Sequence, residues 1–157
     1  MRYSYLFALF YFYVGSISAE AQKQQEINWK SWSELEEAIR NEPKPVFLFF
    51  EAEWCAYCKK IKREVFTKKQ VIKKLNNNYY TLKMDVERQD TIYFDGVSFI
   101  NEQARTQRNG IHQLPLLFAS REAKTFSLPA TVILDKQFEV VQRVFEYYTS
   151  EELMGFL

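Results

Sequence analysis

The sequence predicts an α/β fold with a central mixed sheet flanked by helices, and three stretches carry that prediction. Val46-Phe47-Leu48-Phe49-Phe50 is apolar at every position, as a strand covered on both faces must be. It runs into Glu53-Trp54-Cys55-Ala56-Tyr57-Cys58-Lys59, from which a long helical pattern leads away. Tyr80, Leu82, Met84 and Val86 then alternate with Thr81, Lys83 and Asp85, the period of a strand. Strand, helix and returning strand make a β-α-β unit, so those two strands are parallel. A second wholly apolar strand, Thr131-Val132-Ile133-Leu134, turns through Asp135-Lys136-Gln137 into a partner running from Phe138 to Phe145.

Taken in order, the chain begins with the pattern of a secretory signal, residues 1–21. Arg2 supplies the charge, Leu6 to Val14 the apolar stretch, and Gly15 to Ala21 the small residues. Ala19-x-Ala21 predicts cleavage before Gln22, with a cut after Ala19 as the alternative. The apolar stretch falls short of the ~20 residues a spanning helix needs, so no stable membrane insertion is expected after cleavage. Residues 22–31 read as a polar lead-in with a short strand around Ile27 to Trp29. Ser33 followed by Glu36 has the form of a capping box. Trp32, Leu35, Ala38 and Ile39 fall on one face of the helix it opens. Pro43 and Pro45 end that helix near Asn41.

Beyond Cys55, the spacing of Cys58, Ile61 and Val65 marks one buried helix face, and Val71, Ile72 and Leu75 form a second set. The helix therefore bends or restarts near Thr67 and terminates at Asn76-Asn77-Asn78. Asp95-Gly96, between Ile92 and Phe99, is a hairpin signal. Asn101 to Gly110 reads as a loop. Ile111, Leu114, Leu117 and Phe118 keep helical spacing, with Pro115 in the first turn. Ser150 opens a last helix with Leu153, Phe156 and Leu157 on one face.

Length and composition narrow the function. A chain of 157 residues holds one domain with a real core, and 47% hydrophobic and 17% aromatic residues exclude disorder. A formal charge of +1 gives nothing to steer nucleic acid. Lys59, Lys60, Lys62, Arg63, Lys68 and Lys69 alternate with apolar residues as a solvated helix face does. His112, the sole histidine, lies near a helix start and reads as structural or solvent-exposed. With two cysteines beside it, it falls short of the four ligands that zinc takes, so no metal site is expected.

Cys55 and Cys58 are the only cysteines. A thiol where a strand gives way to a helix meets unsatisfied N–H groups and the positive end of the dipole, which favour thiolate. A disulfide across two intervening residues removes little unfolded-state entropy, so the pair serves better as a switch than as a brace. The chemistry indicated is thiol–disulfide exchange.

Trp54-Cys55-Ala56-Tyr57-Cys58-Lys59, with Val65-Phe66 and Val71 after it and Leu128-Pro129-Ala130-Thr131 some seventy residues on, resembles the thioredoxin superfamily. Within it, the likeness is to exported thioredoxin-like proteins and the C-terminal domain of DsbD-type interchange proteins. The resemblance implies a thioredoxin-like domain over residues 32–157, with an insertion (hairpin plus helix) between residues 87 and 127, before the cis-proline strand. That insertion is expected to flank the site and select partners. Cys55 would attack, Cys58 would resolve, and Pro129 would be a cis-proline facing the disulfide. Leu128 would offer its backbone to substrate, and Trp54 would pack beside the sulfurs and shield them.

Two departures concern the chemistry. Thioredoxin carries a buried acid six residues before the first cysteine, where this chain has Phe49. Glu51 and Lys59 are then the candidates for a proton relay, with Glu51 and Glu53 read as solvated. Ala56-Tyr57 between the cysteines assigns neither a strong reductant nor a strong oxidant. The implied activity is a protein-disulfide reductase or isomerase in the periplasm, with secretion as the alternative. It would act on the disulfides or thiols of exported proteins, with a membrane electron donor as its candidate source of electrons and no cofactor but the redox-active Cys55–Cys58 pair. The rival reading is a non-catalytic adaptor whose pair stays oxidised.

Overall fold

Why the sheet centres on one strand follows from three phenylalanines. In the computed structural model, which describes residues 26–157, Phe47, Phe49 and Phe50 are wholly buried in β1 (Val46–Glu51). The expected signal segment, residues 1–21, lies outside the described residues. Ahead of β1 comes α1 (Trp32–Asn41), and after it α2 (Ala56–Glu64), α3 (Lys69–Asn78) and β2 (Tyr80–Asp85). A hairpin of β3 (Ile92–Phe94) and β4 (Val97–Phe99), a 3-10 turn (Glu102–Arg105) and α4 (Gln113–Ala119) follow. The chain closes with β5 (Ala130–Leu134), β6 (Val140–Val144) and α5 (Ser150–Phe156).

The main sheet has the order β2-β1-β5-β6, with β1 parallel to β2 and antiparallel to β5. It is the mixed sheet, flanked by helices, that the sequence predicts. Alternation along β1 sends its residues to two layers. Phe47 and Phe49 meet Phe66, at the end of α2, with ring centroids 6.0 and 4.9 Å apart. Phe50 lies level with Met84, whose sulfur receives the indole N–H of Trp32 at 3.3 Å. Trp32 in turn stacks on Phe118, so α1 and α4 cover that second face.

Local signals fix the helices. The first capping box is Ser31 with Glu34, two residues earlier than the Ser33–Glu36 pair the sequence suggested. At the C-terminal helix, Thr149 is the cap and Glu152 completes the box, in place of Ser150. In both cases the helix starts at the earlier hydroxyl because Glu at N3 can reach back to its backbone N–H. The restart near Thr67 is real, since α2 ends at Glu64 and α3 begins at Lys69. The lead-in strand shrinks to a single parallel bridge between Trp29 and Thr81, and β6 is shorter at both ends than Phe138 to Phe145. Phe138 instead takes a left-handed conformation in the turn.

The insertion differs most from expectation. Its hairpin forms at Asp95-Gly96 as predicted but does not flank the cysteines. Phe94 packs on Trp32 and on Phe138, and the tip lines an apolar groove of about 910 Å³ with Ile39, Arg40 and Val140. Val140 pairs with Leu134, which faces Val46, so this groove opens at the end of the sheet opposite Cys55. The insertion's polar half is knotted around Asn101, which is buried. Its amide donates to the carbonyls of Arg88 and Gly110 and its oxygen caps Ala104.

Candidate active site

Cys55 follows β1 across a tight turn in which its N–H donates to the Ala52 carbonyl at 3.0 Å. It is the N-cap of α2, and its sulfur accepts the N–H of Cys58 at 3.1 Å. A cysteine rarely caps a helix as well as an oxygen does, so this position favours a sulfur that bears negative charge. Cys55 and Cys58 form a disulfide, with Cα atoms 5.3 Å apart. Cys55 is 4% exposed and Cys58 not at all, so a partner meets Cys55 first.

The register places Leu128 and Pro129 at this same end. Ala130 lies opposite Phe50, so Pro129 comes level with Glu51, at the strand end from which the cysteine turn departs. The Leu128–Pro129 peptide is cis, as the resemblance implied. Trp54 is 60% exposed, so the indole forms part of the rim and does not bury itself as a cover. Its Nε1 donates to Glu87 at 2.6 Å, and the Val86 N–H next to Glu87 donates to the Glu51 carbonyl. Tyr57 is equally exposed, with its ring 6.3 Å from that of Tyr147.

Glu51 is not solvated as expected. Its side chain is 13% exposed, and its Oε2 is enclosed without a hydrogen bond. Lys62 Nζ contacts that oxygen as an ion pair. Lys62 stands four residues after Cys58 on α2, so both side chains occupy one helix face above the end of β1. Lys59, the other proton-relay candidate, is exposed, and so is Glu53. The sequence reading left Lys62 on a solvated face; its four-residue spacing from Cys58 is the signal that puts it on the cysteine's side of α2. Glu87, which tethers Trp54 on the rim, had no local signal.

His112 is wholly buried and structural. It caps α4 by accepting the Leu114 N–H on Nδ1 at 3.2 Å, and its Nε2 lies 3.3 Å from the Asp90 carbonyl, which fixes the Nε2–H tautomer. Burial lowers its pKa below the ordinary value. Among the described residues no cluster of His, Cys, Asp or Glu could hold a metal ion. None of their helices is long and apolar enough to cross a membrane.

A disulfide-bonded Cys-x-x-Cys pair at a strand-to-helix turn, with a cis X-Pro bond leading into the neighbouring antiparallel strand, defines a thioredoxin-like protein. The chain belongs to the thioredoxin-like domain family, whose profile matches residues 33–157. It is 30% identical, over 93 residues or 59% of its length, to the thiol:disulfide interchange protein DsbD of Campylobacter jejuni strain RM1221. The matched segment is only 14% of that relative's length. Among solved structures, a putative disulphide-isomerase from Bacteroides thetaiotaomicron superposes with a TM-score of 0.56 at 21% identity, covering 85% of this chain and 91% of that one. A DsbH oxidoreductase superposes with a TM-score of 0.55 at 20% identity, covering 83% and 81%. At such identities the likeness concerns the fold.

Proposed function

We propose that the protein is an exported thiol–disulfide oxidoreductase that reduces or isomerises disulfides of other exported proteins in the periplasm. The observation that carries this reading is the Cys55 sulfur seated as N-cap of α2 with the Cys58 N–H directed at it. The same hydrogen bond and dipole hold a thiolate once the pair is reduced.

In the proposed reaction the Cys55 thiolate attacks one sulfur of a partner disulfide. A mixed disulfide forms, and the partner's other sulfur leaves as a thiolate that takes up a proton. Cys58 then loses its proton and attacks the Cys55 sulfur, so the Cys55–Cys58 disulfide forms and the second partner thiol departs. Two electrons have passed to the partner. Glu51 is the proposed acceptor of the Cys58 proton, with the Lys62 ammonium balancing its charge between turnovers. A dithiol donor at the membrane is the proposed source of electrons, and the cysteine pair itself is the only redox group required. Leu128 and Pro129 would bind the partner chain, with Trp54 on the rim.

The test is the equilibrium reduction potential of Cys55–Cys58 against glutathione, measured on residues 22–157. A value between about −270 and −200 mV supports a reductase fed by a donor. A value near −120 mV would make the protein a disulfide-forming oxidant. A pair that resists a large excess of thiol while the fold persists would leave the non-catalytic adaptor standing.

A further inference from the structure

Ten residues, 120–129, join α4 to β5, and they lead into the end of β5 that lies beside the Cys55 end of β1. Their turn closes through an antiparallel bridge between Arg121 and Lys124, with Ala123 in a left-handed conformation. One side chain ties this segment to the rest of the molecule. The Arg121 guanidinium carbon lies 3.9 Å from the ring centroid of Phe145, the residue that follows β6. Its Nη2 donates to Ser127 Oγ at 2.7 Å and to the Thr125 carbonyl at 3.3 Å. Immediately beyond stands Leu128, whose own N–H and C=O make no hydrogen bond among the described residues. Main-chain groups that no secondary structure engages are a ready edge for another chain.

We infer that Arg121 is a positioning residue for substrate, a guanidinium staple that holds Ser127 in place so that the free main-chain groups of Leu128 meet an extended partner segment in register. The inference rests on the reading of Cys55–Cys58 as a redox catalyst. The chemistry of the side chain supports it. Arg121 Nε is enclosed with no hydrogen-bond partner, which disfavours the folded state. An apolar side chain would cover Phe145 without that cost. Only a planar, multiply donating group can stack on the ring while it grips a carbonyl and a hydroxyl in the same loop. What Arg121 adds over an apolar residue is therefore the placement of the loop. The partner it suits is a polypeptide carrying a disulfide in an extended segment. A small disulfide has no main chain to pair with Leu128 and does not depend on the staple.

The experiment compares Arg121→Gln, Arg121→Lys and Ser127→Ala in the reduced protein. One substrate is a protein disulfide (insulin) and the other a small aromatic disulfide. For Arg121→Gln the KM for insulin is expected to rise about tenfold. Its kcat and the small-disulfide rate stay within about twofold of the parent. Arg121→Lys keeps the charge but not the fork and fails to rescue KM. Ser127→Ala removes one contact, leaves Phe145 covered and raises KM about threefold. The staple is overturned by an unchanged KM for insulin, or by insulin and small-disulfide rates that fall in parallel. Should Arg121→Gln not fold, Ser127→Ala decides by the same criteria. An unsubstituted protein that reduces neither substrate overturns the redox reading and the staple with it. An active parent with unaffected variants overturns the staple alone.

Discussion

Replacing Glu51 with glutamine keeps the side-chain volume and removes the one enclosed carboxylate at the Cys55 end of β1. The structural cost is small. Lys62 is 39% exposed, so its ammonium turns to water when its partner is lost, and the pair ranks with surface ion pairs worth less than about 1 kcal/mol. That corresponds to a fall of a few degrees in Tm for a chain of this size. The chemical cost is larger. Loss of the general base proposed at Glu51 slows proton transfer by about 10²-fold to 10⁴-fold, and the lower end is taken because Lys62 is partly exposed to solvent. The deficit is confined to the step in which Cys58 is deprotonated. Stopped-flow oxidation of the dithiol, followed through Trp54 fluorescence at pH 6 to 9, measures it. The rate of Glu51→Gln is expected to fall about 10²-fold near pH 7 and to recover as pH passes the ordinary cysteine pKa of about 8.5. Alkylation of Cys55 stays unchanged, because its thiolate is held by the start of α2. A variant within about twofold of the parent at every pH refutes the assignment. So does one slowed equally throughout.

The remaining outcomes concern the frame that carries the rim. His112 accepts the Leu114 N–H while neutral, and burial lowers its pKa, so the unfolded chain binds the proton more readily. Stability is therefore complete above about pH 6.5 and lost as pH falls from there toward the depressed folded pKa, by at most about 1.4 kcal/mol per pH unit. Denaturation midpoints of His112→Asn, which keeps a capping acceptor, are expected to lose that slope, and a slope retained in the variant assigns it elsewhere. Gly110→Ala would set a Cβ 2.3 Å from the Ala104 nitrogen and 2.5 Å from the Gln103 carbonyl carbon. Because both are backbone atoms, a loss above about 3 kcal/mol is expected in chemical denaturation, and a loss under about 1 kcal/mol would mean the Asn101 knot yields easily.

What the sequence made legible was what short-range physics controls. The unbroken apolar run Val46 to Phe50, the Cys58-Ile61-Val65 spacing and the Asp95-Gly96 turn each translate directly into an element. The capping boxes were displaced because Ser31, Ser33, Thr149 and Ser150 offer competing hydroxyls within one turn, and only the reach of Glu34 and Glu152 decides between them. The direction of the insertion was not legible at all. It is set by Phe94 finding Trp32 and Phe138, residues 62 and 44 positions away in the chain, and no local pattern encodes such a contact. At the site, both cysteines and the cis bond at Pro129 were readable, whereas the Trp54–Glu87 tether and the Arg121 staple join separate elements through single side chains.

The position of the acid shows how packing and chemistry are reconciled in this chain. Phe49 stands where thioredoxin has its buried carboxylate, and its ring lies edge-on to Phe66, which also meets Trp29 and Phe47. An acid placed in that aromatic cluster would be desolvated without a partner, so the cluster and a carboxylate exclude each other at position 49. Two residues further along β1 the side chain returns to the same face of the sheet but stands one step nearer the cysteines, where the aromatic cluster has ended. There a carboxylate is enclosed and yet lies within reach of Lys62, four residues beyond Cys58 on the covering helix. With Phe at 49 and the carboxylate at 51, the strand keeps a continuous aromatic core while Glu51 stands under the α2 face that carries Cys58. The charge partner comes from α2 itself, so any shift of that helix as the disulfide opens also moves the ammonium paired with Glu51.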